Sequence, residues 1–146
     1  MAGSKPRIKA KPRGGFRSTA EYHTAQYLNN VEVSYEYETC KIPYTRPETQ
    51  HTYTPDFILP NGIMIEVKGE LTLEDRKKHL LIKDQHPDLD IRFAFVNPKR
   101  YINKNKKTNY ASWARKYGFK YCTSPVIPIE WLEEGGLITI NKDFIL

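Results

Sequence analysis

Cysteine is scarce in this chain, with Cys40 and Cys122 alone among 146 residues. Two thiols cannot build a disulfide framework or fill a cysteine zinc site, and the four histidines show no ligand spacing. Both cysteines are expected as reduced thiols of a cytoplasmic protein. No apolar run approaches the roughly 20 residues that a membrane-spanning helix needs, so no membrane partner is expected. The basic N-terminus is not followed by the apolar stretch of a signal peptide. There is no internal repeat. Acid is missing from residues 1–17, which carry Lys5, Arg7, Lys9, Lys11, Arg13 and Arg17. Those six cations equal the whole net charge of +6, so the remainder of the chain is electrically balanced.

A pI near 9.2 with the excess charge at one end favours a polyanionic partner, nucleic acid first. Residues 1–15 read as a flexible basic arm that contacts phosphate, the bland alternative being a solvated tail. Residues 16–146 are long enough for one domain with a real core, and 39% hydrophobic content is ordinary for one.

Order along the chain comes from caps, periodicity and turns. Ser18-Thr19-Ala20-Glu21 has the form of a capping box opening a helix to residue 29 or 30, with Glu21 on the same face as Ala25 and Leu28. Residues 33–38 alternate apolar and polar, as a half-exposed strand does. Residues 41–52 hold Pro43 and Pro47 and are expected to be extended and irregular. Thr72 caps a second helix that Pro87 ends, with Leu73, Leu80 and Leu81 on its apolar face. Residues 91–96 form an apolar central strand. A third helix covers residues 112–117, with Gly118 as its stop and a short strand after it. The apolar terminal residues Phe144, Ile145 and Leu146 are placed against the core or a second subunit. This order gives an α/β fold with a mixed sheet flanked by helices.

The chemistry concentrates in residues 54–69. Pro60-Asn61-Gly62 is turn chemistry between two apolar runs, so the segment is a β-hairpin. Glu66 and Lys68 share a face because strand side chains alternate. A two-residue Asn61-Gly62 turn puts Asp56 on the opposite face. A three-residue loop pairs Leu59 with Ile63 and sets Asp56 against Glu66. The second register is preferred, because it gathers Phe57, Leu59, Ile63, Ile65 and Val67 on one face and the charges on the other. Two carboxylates and an amine so placed suit a hard divalent cation such as Mg2+ beside a catalytic lysine. Arg76, Lys77 and Lys78 follow the hairpin closely, and Lys99 and Arg100 open a basic run interleaved with Tyr101 and Tyr110. Each set is either a phosphate contact or a solvated charged surface. Glu21 either completes its cap or joins the acids. His51 is either a contact to a phosphate or bound water or, as a lone His near a strand more often is, an ordinary structural hydrogen-bonder, and the second reading is kept.

Pro55-Asp56…Glu66-Val67-Lys68 has the PD…(D/E)xK pattern of restriction-endonuclease-like nucleases. Beyond that degenerate pattern, the chain closely resembles the endonuclease I family of short-tailed phages, which are DNA-junction-resolving enzymes. The resemblance rests on Phe16-Arg17-Ser18 with Glu21, Tyr35-Glu36-Tyr37-Glu38, His51-Thr52-Tyr53-Thr54-Pro55-Asp56-Phe57 and Leu59-Pro60-Asn61-Gly62-Ile63. It continues through Glu66 with Lys68-Gly69, the run Asp75-Arg76-Lys77-Lys78-His79-Leu80-Leu81-Ile82, and Gln85-His86-Pro87 with Leu89-Asp90-Ile91-Arg92. Residues from about 16 to 132 are covered. The resemblance implies a restriction-endonuclease-like fold in a domain-swapped homodimer that hydrolyses phosphodiesters at four-way (Holliday) junctions and other branched DNA. It implies Mg2+, with Mn2+ as a substitute, held by Asp56, Glu66, the Val67 carbonyl and Glu21, with Lys68 catalytic. It further implies that Glu21 comes from the partner subunit, and that the compartment is the host cell's cytoplasm. One departure is the tail, acidic and apolar over residues 133–146, where the family's can be strongly basic. The competing expectation is a non-catalytic junction-binding module with a nuclease-like fold.

Overall fold

The computed structural model describes residues 15–46 and 49–140. The arm cations Lys5, Arg7, Lys9, Lys11 and Arg13, and the apolar residues 144–146, lie outside the described residues. A five-stranded mixed sheet runs in the order β1 (Glu36–Tyr37), β4 (Phe57–Ile58), β5 (Met64–Lys68), β6 (Ile91–Phe95), β7 (Tyr121–Thr123). The first three strands are antiparallel. β5, β6 and β7 are parallel, joined through α2 (Leu73–Gln85) and α3 (Tyr110–Lys116), because parallel neighbours need a crossover. α1 (Thr19–Asn30) and α4 (Ile129–Glu133) complete the helices.

Strand alternation divides the core between the two faces. Phe57, Ile65, Val67, Ala94 and Cys122 pack with Ala25 and Leu28 of α1 and with Trp131 and Leu132 of α4. Phe93 and Phe95 point the other way, to Tyr110, Trp113 and Ala114 of α3 and to Phe119. Each buried aromatic or large aliphatic residue of this kind stabilises the fold by about 1.5–3 kcal/mol relative to exposure.

The hairpin adopts the three-residue loop. Phe57 pairs with Ile65 and Ile58 with Met64, and the Leu59 N–H donates to the Ile63 carbonyl at 2.8 Å. Gly62 sits at φ +90°, a conformation that needs glycine. The Asn61 amide donates to the Trp131 and Glu134 carbonyls at 2.8 and 3.0 Å, fastening the tip to α4.

Three expectations are corrected. The strand over residues 33–38 shortens to Glu36–Tyr37, with Val33 drawn into the α1 core and Glu38 turned to φ +53°. Residues 41–52 are not irregular: β2 (Ile42–Arg46) and β3 (Thr49–Tyr53) form a two-stranded antiparallel sheet in which Pro43 pairs with Thr52. Thr45 turns its N–H and carbonyl outward to the Gln85 side chain, both at 2.7 Å. Pro43, two residues away, therefore has its missing N–H on that same outer edge, where no ladder bond is lost. Finally, Leu73 is 56% exposed, and the buried face of α2 is made by His79 and Ile82. His51 holds the Thr49 hydroxyl at 2.9 Å and stacks on Tyr44, the structural role expected of it.

Candidate active site

Four charged side chains meet near the hairpin, and each has a dedicated partner. Asp56, just before β4, is set opposite Glu66 by the register, and its Oδ2 accepts the Val67 N–H at 2.8 Å. Glu66 accepts the Tyr53 hydroxyl on Oε1 at 2.7 Å. Lys68 lies 3.5 Å from Glu66 Oε2 and 3.1 Å from Asp75 Oδ1. Glu21 accepts the Tyr37 hydroxyl on Oε1 in a short hydrogen bond, and the Arg17 N–H on the same oxygen at 3.3 Å. Asp56 and Glu21 are each 8% exposed and Glu66 5%, far drier than carboxylates normally are.

The capping box at α1 is half formed. Ser18 Oγ accepts the Glu21 N–H at 3.0 Å, but the Glu21 carboxylate turns to Arg17 and Tyr37 and not to the Ser18 N–H. That turn carries it into the site. One carboxylate oxygen each of Glu21, Glu38 and Asp56 lie within 4.8 Å of one another. All three acids come here from a single chain.

Burial chiefly, then the charges of Glu66 and Glu21, pushes the Asp56 carboxyl well above the ordinary carboxylate range. Glu21 is raised too, by burial first, against the lowering effect of the Tyr37 hydroxyl. Burial opposes the Lys68 ammonium, yet Glu66 and Asp75 outweigh it and hold the lysine above its usual value. Asp75 is held below the carboxylate range, the Lys68 charge and hydrogen bonds from Thr72 and Lys68 overcoming its burial. The donor set fits a hard divalent cation: close carboxylate oxygens, no soft ligand, and mutual repulsion that a cation would relieve.

The other basic residues divide. Arg17 reaches Glu38 at 3.2 Å, Lys78 lies over the Tyr53 ring at 5.6 Å, and Arg100 touches the Gly69 carbonyl at 3.4 Å. These three border the site. Arg76 donates to the Leu71 carbonyl at 2.9 Å, a structural use. Lys77 and Lys99 are exposed.

Sequence reasoning missed Glu38, Tyr37, Tyr53 and Asp75 as members of this site. Glu38 was hidden by the strand alternation, which breaks at its left-handed backbone. Asp75 carried one visible signal, the Thr72-to-Asp75 spacing of a capping box, and that box does form. Nothing local announces that the same carboxylate also meets Lys68.

Comparison with known proteins decides the family. A sequence model described as Phage endonuclease I matches residues 1–145. The chain belongs to the phage endonuclease I family. It is 46% identical over 121 residues to Endonuclease I of Escherichia phage T7, covering 83% of this chain and 80% of that protein. It is 44% identical over 119 residues to Endodeoxyribonuclease 1 of Enterobacteria phage T3, covering 82% and 78%. Membership of an endonuclease family accords with the nuclease pattern on the hairpin. Among the described residues, no helix is long and apolar enough to cross a membrane.

Proposed function

We propose that this phage endonuclease I family member is a Mg2+-dependent DNA endonuclease that cuts four-way junctions and other branched DNA. The observation that carries the reading is the gathering of buried acids: Glu21 and Asp56 close together with Glu38, and Glu66 set opposite Asp56 with Lys68 beside it. Asp56, Glu66 and Glu21, with the Val67 carbonyl, hold the cation, and Mn2+ is an acceptable substitute. When bound, the cation polarises a phosphate oxygen and offsets the charge that develops in hydrolysis. The Lys68 ammonium, held between Glu66 and Asp75, is placed to donate to the phosphoryl oxygens and orient the attacking water. Asp75 keeps that ammonium at the strand end. Arg17, Lys78 and Arg100 touch phosphates around the cut, and Lys5, Arg7, Lys9, Lys11 and Arg13 extend the contact. Arg76, Lys77 and Lys99 contribute more weakly.

The working form is a homodimer, since two symmetric sites suit a branched substrate with two strands to cut. β2 and β3 pair within one chain here. The same edges offered to a second copy would exchange α1, and with it Glu21, between subunits.

The test is cleavage of a synthetic four-way junction with Mg2+ or with chelator, in competition with linear duplex. Mg2+-dependent products that resist linear competitor support the reading. Binding without any product would favour the non-catalytic module, and equal competition would point to linear or mismatched DNA as substrate. A monomeric mass in solution would contradict the shared site.

A further inference from the structure

Two of the site's acids are held by tyrosine hydroxyls from two different strands. Tyr37 of β1 donates to Glu21, and Tyr53 of β3 donates to Glu66 at 2.7 Å. In both cases the acceptor is Oε1. The Arg17 N–H also falls on Glu21 Oε1 and donates at 3.1 Å to the Tyr37 hydroxyl, so that phenol is held from both sides. The Oε2 of Glu21 has neither contact. Glu66 Oε2 faces Lys68.

Neither ring is free to swing. Tyr53 is 2% exposed, meets the His79 ring edge-on at 5.0 Å, and carries the Lys78 ammonium over its face at 5.6 Å. His79 is itself fully buried, and neither of its ring nitrogens has a hydrogen-bond partner among the described residues. It serves there as a packed ring. Tyr37 sits edge-on to Phe16 at 4.6 Å and against Phe57 at 5.3 Å, in the α1 face of the core. Two separate packed clusters therefore each fix one phenol, and each phenol fixes one carboxylate.

We propose that Tyr37 and Tyr53 are positioning residues for the divalent cation: each pins one oxygen of its carboxylate and leaves the other available to the cation, that of Glu66 beside the Lys68 ammonium. A carboxylate on a flexible glutamate stem loses rotamer freedom when it binds a cation, and a hydroxyl that has already fixed it removes part of that cost. Partners of this kind typically tune metal affinity by 10–100-fold. The inference rests on the metal-site reading above, and adds to it which residues set the affinity.

The test is calorimetric titration of Mn2+ into the DNA-free protein, comparing wild type with Tyr53→Phe and Tyr37→Phe. Phenylalanine keeps the ring packing and removes one hydroxyl. Each variant should bind Mn2+ about 10-fold or more weakly. In the junction-cleavage assay the Mg2+ concentration for half-maximal rate should rise in parallel, while the rate at saturating Mg2+ recovers to within about 3-fold of wild type. A role limited to packing would lower Tm without moving metal affinity, and unchanged affinity in both variants would overturn the inference while leaving the metal site standing. If Tyr53→Phe fails to fold, Tyr37→Phe on the separate cluster decides alone. Wild-type protein that takes up no Mn2+ would overturn the metal reading and this inference with it.

Discussion

Among the described residues, charge is buried in two places and treated oppositely. Arg92 on β6 is 1% exposed. Its guanidinium makes two hydrogen bonds to Asp90, at 2.8 and 2.7 Å, and two to Glu134, at 3.1 and 2.8 Å, with the Trp131 ring 5.1 Å away. Both acids are nearly half exposed, so water screens the remaining charge. At the hairpin, Glu21, Asp56 and Glu66 are buried together, and the nearest cations, Lys68 and Arg17, are already shared with Asp75 and Glu38. The first cluster is complete in itself and ties the segment after α4 to the sheet. The second gathers acids whose mutual repulsion no free cation among the described residues relieves, and such a grouping persists in a buried place where function requires it.

Breaking each cluster should therefore give a different kind of damage. The largest effect belongs to the acid site. Glu66→Ala or Lys68→Ala should reduce single-turnover junction cleavage by about a thousandfold or more, with junction binding in a gel-shift assay largely intact. Cleavage retained by both variants would sink the assignment. Asp75→Asn should cost less, about 10–100-fold in cleavage, because Lys68 keeps Glu66 but loses its second anchor. At the complete cluster, Arg92→Met should lower Tm by about 5–10 °C in thermal melts and leave Mn2+ affinity unchanged, since the released acids reach water and the new side chain fills the space.

The smallest effect is one of pH. Asp56 holds its proton in the folded chain at pH values where the unfolded chain has lost it. Raising pH through its elevated folded value therefore costs stability in the metal-free protein. Mg2+ must displace that proton, so the rise in Tm on adding Mg2+ should be larger at the higher of two pH values taken above the ordinary carboxylate range. Asp75 and Asp90 are depressed instead, so their contribution is lost only as pH falls below the ordinary carboxylate range, outside both measurements. An equal Mg2+ shift at the two pH values would mean that no proton is displaced.

The same contrast bears on what the sequence discloses. Asp56, Glu66 and Lys68 were legible because strand period and turn length are local properties, and they brought three charges to one face. The mixed sheet flanked by helices followed from the order of element types, whereas the strand order did not. Glu21 could be placed on the buried face of α1, but its turn away from the cap depends on Tyr37, sixteen residues away in another element. The β2–β3 pairing was obscured by Pro43, whose tolerance depends on an outer edge closed by Gln85 of α2. The Arg92 cluster was unreadable for the same reason: Asp90 is a neighbour in sequence, while Glu134 arrives from beyond α4. Partners set by tertiary contact leave no periodic trace.

The most direct test of the acid cluster's role is single-turnover cleavage of a four-way junction by wild type and Asp56→Asn across a Mg2+ titration. Asn keeps the shape and one oxygen of Asp56 while removing its charge. Wild type should cut with saturable Mg2+ dependence and lose all cutting in chelator, and Asp56→Asn should bind the junction yet stay uncut at every Mg2+ concentration. Cleavage by wild type in chelator, or by Asp56→Asn at the wild-type rate, would contradict the account.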